Sequence, residues 1–359
     1  LIDLALAFVV GVVSLKGDKV KEKNLKLASL FCGCGGTDLG AIGGFVYNGK
    51  RYSRHPIELV FANDFEAGAA DIYDINFKEK ADRRDIRQIQ STEIPQHDIL
   101  LAGFPCQSFS ILAQNPPRLG VKDERGKLFF EILRIVRHHK PKVIVLENVK
   151  GLLSANKGVA FELIKEEFQK IGYCLQVKVL NAKDFGVPQK RERVFIVGFR
   201  NNLKVSFNFP EPITDDTGVA IKGFLSPKVE GKYYFSDKAV LGMLRSNKKT
   251  NGMMNKGRVQ NLNQPCNTLT AHLAKVTLNG TDPVLMTGSK YRRFTPREVA
   301  RLQSFPESFE LIGSDSRQYK ALGNAVPPVL FWHLMSCVVR AMAGTSRPYS
   351  STKDLDLTM

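Results

Sequence analysis

Between residues 25 and 200 short apolar runs alternate with stretches of helical spacing, which restricts the chain to a doubly wound, mainly parallel α/β sheet. The expected strands are Leu27–Phe31, Glu58–Asn63, Ile99–Gly103, Val143–Leu146, Gln176–Leu180 and Val194–Phe199. Between the third and fourth, Leu128–His138 carries Leu128, Phe129, Ile132, Leu133, Ile135 and Val136 at helical spacing. Helical character returns at Pro296–Ser304 and Pro328–Ala343. Open sheets of this class hold ligands beyond the carboxyl ends of their strands, so residues just past each run are the first candidates for chemistry.

A chain of 359 residues, 43% of them apolar, can bury one large domain and a smaller one. Its net charge of +17 points to a polyanionic partner, nucleic acid before membrane, because no basic amphipathic helix stands out. Residues 222–293 hold thirteen Lys and Arg against Glu230, Asp237 and Asp282, a net of +10. That stretch has little periodicity. A separate module facing nucleic acid is the better reading, and a solvated basic face is the plainer alternative. The expected division is an extension (1–24), a main domain (25–225 with 318–345), a small module (226–292), a hinge (293–317) and a polar, disordered tail (346–359). Residues 1–15, LIDLALAFVVGVVSL, are too short to span a bilayer and are interrupted by Asp3. A packed element or a start-site artefact is expected there. The six cysteines show no paired framework, and Cys32-x-Cys34 lacks a second ligand pair; this fits a reducing cytoplasm and no metal site.

Pro105 cannot continue the run Ile99–Gly103, so Cys106 is delivered just past a strand end. A lone cysteine is more often a small buried hydrophobe than a nucleophile, and its neighbours decide. Val143–Leu146 brings Glu147 to the same edge, where a carboxyl group is either capped structurally or kept protonatable for acid work. Asn148 is expected to fix the turn. Arg191 and Arg193, two apart at a strand start, share a face, either as a salt-bridged edge or as donors aimed at a site. Phe31 leads into a glycine-rich turn, with Gly33, Gly35 and Gly36, where backbone can approach a nucleotide-like cofactor closely. Asp38 occupies the sixth position of the dinucleotide fingerprint, which disfavours a pyrophosphate and favours a cofactor with an adenosine and a positive centre. Asp64 ends the second strand, where such folds hold a ribose; Phe65 can lie against an adenine, and Asp85 can read its amino group. Each of these acids can equally cap a helix or a turn.

In chain order the strings FCGCGG, GFPCQSFS, ENV, QKRER, RRFTPREVARLQSFP and GNAV resemble the DNA (cytosine-5) methyltransferase family of the bacterial restriction-modification type. The similarity covers roughly residues 25–345, broken at 201–290, where that family holds its variable target-recognition region. It implies a Rossmann-like fold dependent on S-adenosylmethionine, with a smaller, irregular, β-containing recognition domain. It also implies Cys106 as the nucleophile toward C6 of a cytosine flipped out of the duplex. Glu147 would meet N3 and the exocyclic amine, Arg193 would hold O2 with Arg191 in support, and the Phe104 carbonyl would meet the amine. The cofactor, released as S-adenosylhomocysteine, would lie on Phe31, Gly33, Gly35 and Gly36. Its ribose would rest on Asp64 and its adenine on Phe65, Asp85 and Ile86, with Leu128, Asn324, Ala325 and Val326 at the methionine end. No metal is called for. DNA contacts are expected from Gln107, Ser108, Arg258, Thr268, Leu269, Lys248, Lys249 and Lys256. The implied setting is a cytoplasmic monomer on double-stranded DNA, off the membrane, with a cognate restriction endonuclease as functional partner. Asp64 departs from the family, which more often has Glu there, and the loop from Cys106 to Leu128 is slightly long.

The chemistry agrees with the residues: cytosine C5 is a poor nucleophile until something adds at C6, so a thiolate and a nearby acid are both needed. Methylation of tRNA cytosine is a rival within the same family, disfavoured by the large basic region. A DNA-binding module without catalysis would need a broken motif, and none is visible. An NAD-type oxidoreductase is disfavoured by Asp38.

Overall fold

The computed structural model describes residues 24–104, 127–245, 257–275, 282–344 and 355–357. The strands of its first half are β1 (Leu25–Leu30), the hairpin β2 (Phe45–Tyr47) and β3 (Lys50–Tyr52), β4 (Ile57–Asn63), β5 (Ala81–Asp82), β6 (Ile99–Ala102) and β7 (Val143–Val149). β8 (Tyr173–Asn181), β9 (Gln189–Lys190) and β10 (Glu192–Arg200) follow. Seven of these form one sheet in the order β5-β4-β1-β6-β7-β10-β8. β10 alone runs antiparallel to its neighbours. From β1 the chain moves outward to β4 and β5, then returns to β6 and β7 on the other side. A crevice opens at that reversal, beyond the carboxyl ends of β4, β1 and β6.

All six expected strands are present, and β7 runs three residues further than expected, through Glu147 and Asn148 to Val149. β5 and the hairpin escaped sequence reading because two or three residues are too few to show a period. Parallel strands covered on both faces read as unbroken apolar runs. Along β1, β6 and β7 successive side chains enter opposite cores. Leu27, Leu101 and Val145 pack with Phe331, Trp332 and Leu334 of the helix Pro328–Met342. Ala28, Leu100 and Ile144 pack with Phe129, Ile132 and Val136 of the helix Lys127–His139. The stretch Asp315–Met342 is long and apolar enough to cross a membrane, but 83% of its most apolar window lies inside the molecule, so it is a core element.

Among the described residues between 201 and 292 regular structure is sparse: the 3-10 turns Ile221–Phe224 and Gly231–Tyr233, the helix Asp237–Arg245, β11 (Cys266–Asn267) beside β9, and the hairpin β12 (Leu285–Thr287) with β13 (Lys290–Arg292). The segment expected as a hinge holds the helix Pro296–Leu302, opened by a Thr295/Glu298 capping box, and buries Phe294, Val299, Leu302, Phe305 and Phe309. The helix Asp315–Asn324, not anticipated, is capped by Ser314. One expectation about the tail is corrected: Leu355–Leu357 forms β14, antiparallel to β3. The expectations for residues 1–23 lie outside the described residues.

Candidate active site

Because β10 is antiparallel, its first residues reach the edge where the parallel strands end. Its register sets Phe195 opposite Glu147 and Arg193 opposite Val149. With a period of two, Arg193 is then a diagonal neighbour of Glu147 on the same face, within reach of a long side chain. Arg193 Nε donates to Glu147 Oε1 at 3.0 Å, the only hydrogen bond the Glu147 side chain makes among the described residues. Gly103 keeps the other carboxylate oxygen clear, since even a Cβ there would stand 3.4 Å from Oε2. Burial pushes the Glu147 carboxyl above its ordinary range, and the charges of Arg193 and Arg191 offset part of that rise. A carboxyl group so placed keeps a proton to higher pH than a solvated one.

Asn148, also buried, donates Nδ2–H to the Phe104 carbonyl at 2.9 Å, and its Oδ1 accepts from the Val149 N–H at 2.9 Å. It ties β7 to the end of β6, beyond the local turn role read from sequence, and it already engages the carbonyl implied for the base amine. Cys106, Gln107, Ser108, Lys248, Lys249 and Lys256 lie outside the described residues.

Glu147, Asn148 and Arg193 line a cavity of about 450 Å³ at the crevice, together with Phe31, Gly33, Gly36, Asp64, Phe65, Glu66, Lys320, Asn324, Ala325 and Val326. A second cavity of about 120 Å³ shares Phe31 and Phe65 and adds Asp85, Ile86 and Leu128. The two form one trough that gathers every residue expected around a cofactor except Gly35. The glycines differ in task. Gly33, at φ +56°, has open space where a side chain would stand, whereas a Cβ on Gly36 would meet the Val326 carbonyl oxygen at 2.3 Å. Gly35 turns its missing side chain toward the Phe77 ring, 2.2 Å away, on the back of the turn.

Asp38 is not in the trough, which corrects the reason for excluding a pyrophosphate. Its carboxylate is fully buried and accepts from Ser29 Oγ at 2.6 Å, Thr37 Oγ1 at 3.1 Å and Tyr73 OH at 2.7 Å. Besides Glu147 and Asp85, the acids that face the trough are Asp64 and Glu66. Asp64 accepts from the Gly33 and Glu66 N–H groups at 2.8 and 2.9 Å, and burial raises its carboxyl. Glu66 caps the helix Ala67–Asn76 through the Ala69 N–H at 2.8 Å and pairs with Lys320 Nζ at 3.0 Å. Sequence reading missed Glu66 and Lys320, although an acid just before a helix start was the available sign. Asp85 also caps a turn, accepting from the Arg87 N–H at 3.0 Å. Phe65 is 65% exposed.

Burial corrects three further expectations. Arg191 is fully buried and donates to backbone carbonyls, so it is neither a surface edge nor aimed into the trough. The Leu269 side chain packs with Phe294, Leu302 and Tyr319, and Arg258 is only 3% exposed, so neither offers a side chain to DNA. Thr268 is half-buried, its Oγ1 donating to the Lys190 carbonyl at 2.7 Å. Part of the basic charge is internal: Arg292 pairs with the buried Glu298, and Arg293 lies over the Phe235 ring. Lys222, Lys228, Lys238, Lys275 and Lys290 are exposed.

The sheet order, its single antiparallel strand and the trough at the reversal define a Rossmann-like methyltransferase fold. Solved structures of other methyltransferases share it. S. pombe Dnmt2 methyltransferase aligns with a TM-score of 0.71 over 90% of this chain and all of that one, at 21% identity. Entamoeba histolytica methyltransferase EhMeth aligns with 0.71 over 89% and 99%, at 20% identity. At the sequence level, Type II methyltransferase M.HhaI of Haemophilus parahaemolyticus is 37% identical over 86% of this chain and 93% of its own length. Type II methyltransferase M.Bsp6I of Bacillus sp. (strain RFL6) is 39% identical over 84% and 94%. Residues 25–339 match the C-5 cytosine-specific DNA methylase family. The chain belongs to that family and is a DNA cytosine-5 methyltransferase.

Proposed function

We propose that the protein methylates C5 of a cytosine swung out of duplex DNA, within one short sequence, as the modification enzyme of a restriction-modification system. The observation that carries this reading is the Glu147–Arg193 pair on the cavity wall, with one carboxylate oxygen left clear. The names of the similar type II methyltransferases support the restriction-modification setting, with a cognate endonuclease as the implied partner.

The trough fits S-adenosylmethionine by its own chemistry. Asp64 and Glu66 favour hydroxyls and a sulfonium over a pyrophosphate, the exposed Phe65 ring offers a face to adenine, and Gly33 leaves backbone open. Phe31, Gly33, Asp64, Phe65, Asp85, Ile86, Leu128, Asn324, Ala325 and Val326 would hold it. When bound, it supplies the electrophilic methyl group that C5 takes up. The Cys106 thiolate adds to C6, Glu147 gives its proton to N3, and Arg193 holds O2, which moves an electron pair to C5. The ring is restored when N3 returns its proton to Glu147, a solvent base takes the C5 proton, and the Cys106–C6 bond breaks with its electrons returning to sulfur. Stacking hides C6 in the duplex, so the base must leave the helix at a cost of a few kcal/mol.

Duplex DNA carrying 5-fluorocytosine at the target should trap the protein covalently when S-adenosylmethionine is present, because fluorine does not leave the methylated C5 as a proton does. Cys106→Ser should abolish the trapped band. A band that persists assigns the attack to another residue, and label entering tRNA in preference to duplex DNA overturns the substrate.

A further inference from the structure

Arg191 carries a charge that no packing role requires. It is fully buried and makes no ion pair among the described residues, an arrangement that costs stability unless its donors do something specific. Its Nη1–H donates to the Leu269 carbonyl at 3.0 Å and its Nη2–H to the Gly323 carbonyl at 2.8 Å. The preceding peptide, Thr268–Leu269, is held by Gln189, also fully buried. Gln189 Oε1 accepts the Leu269 N–H at 2.9 Å, and its Nε2–H donates to the Leu302 carbonyl at 3.2 Å. Gly323 closes the joint, since a Cβ there would stand 2.3 Å from the Ala271 nitrogen and the Thr270 carbonyl carbon. Gly323 lines the main cavity and leads directly into Asn324, Ala325 and Val326. Two residues beyond Arg191, Arg193 holds Glu147.

We propose that Arg191 is a positioning residue that links the Thr268–Thr270 stem of the basic region to the turn Gly323–Val326 at the cofactor trough. Its planar fork fixes the separation of two carbonyls, which a single ammonium cannot do. DNA seated on the stem and a cofactor seated on the turn therefore bias one guanidinium, and each tightens the other. This rests on the methyltransferase reading above.

The test measures the dissociation constant of S-adenosylhomocysteine with and without a duplex that the parent enzyme methylates. The parent should bind it at least about fivefold more tightly with duplex present, the lower end of ordinary coupling. In Arg191→Lys that ratio should fall to within about twofold of one, while affinity without DNA changes little. A purely structural Arg191 would lower the melting temperature and leave the ratio alone. A parental ratio in the variant, or a ratio of one in the parent, overturns the proposal. If Arg191→Lys does not melt cooperatively, Gly323→Ala decides: it keeps the guanidinium and pushes Thr270 away, so loss of the ratio supports the link and a parental ratio overturns it. Failure of the parent to label duplex DNA overturns the methyltransferase reading instead.

Discussion

Among the described residues two Glu–Arg pairs sit out of bulk solvent, and they are built in opposite ways. Beside the start of the helix Pro296–Leu302, Arg292 meets Glu298 through two bonds, 2.8 and 2.9 Å, and Glu298 also accepts from the Ser226 and Thr295 N–H groups at 2.9 and 2.8 Å. Its two oxygens are saturated, and the side chains are 3% and 0% exposed. At the trough Glu147 has one bond to Arg193, and the pair keeps 14% and 13% exposure. Saturation holds a fold together. An unsaturated carboxyl at a cavity wall gives up part of that stability and keeps bonding capacity for something that enters. The same pairing of residue types is therefore closed in one region and open in the other, and the proposed mechanism uses the open one.

The largest expected effect tests the open pair. Glu147→Gln keeps shape but cannot give N3 a proton, so turnover should fall by about two to four orders of magnitude while duplex binding is kept. Transfer of labelled methyl groups measures the first and gel shift the second; an unchanged rate removes Glu147 from the mechanism. The pH profile sharpens this. A raised carboxyl keeps its proton to higher pH and loses it as pH rises, so the parent rate should fall on an alkaline limb that is absent from Glu147→Gln. A limb identical in both assigns that titration elsewhere.

The closed pair should respond through stability. Glu298→Gln leaves Arg292 buried without its counter-charge and should cost about 3–5 kcal/mol, read from urea unfolding, with turnover per folded molecule unchanged. A stable variant with a lost rate would erase the distinction between the pairs. The smallest effect concerns the remaining basic charge. Neutralising Lys248, Lys249 and Lys256 together should flatten the salt dependence of DNA binding by up to about three units of slope, with S-adenosylhomocysteine affinity unchanged. Arg258→Gln, at a buried position, should leave the slope as it is. If the lysines do nothing and Arg258 sets the slope, the DNA surface has been read inside out.

The strands were legible because burial on both faces writes itself as apolar runs, and the trough because its residues fall just past those runs. Phe31, Asp64 and Glu147 needed no more than that. Arginines were not legible in the same way. Arg191 and Arg193 stand two apart, yet one is locked between carbonyls and the other faces the cavity.

The sheet, the cluster of glycines and acids at its edge, and the family were all readable from the linear chain. Those features depend on near neighbours in the chain, whose spacing is set by strand and helix periods. Which charges were spent internally depended on how the chain folds. Asp38 met Ser29 and Tyr73, Arg292 met Glu298, and Arg191 reached across 78 and 132 residues of chain to Leu269 and Gly323. A charge's role depends on what desolvates and pairs it, and in this fold those partners arrive from distant segments.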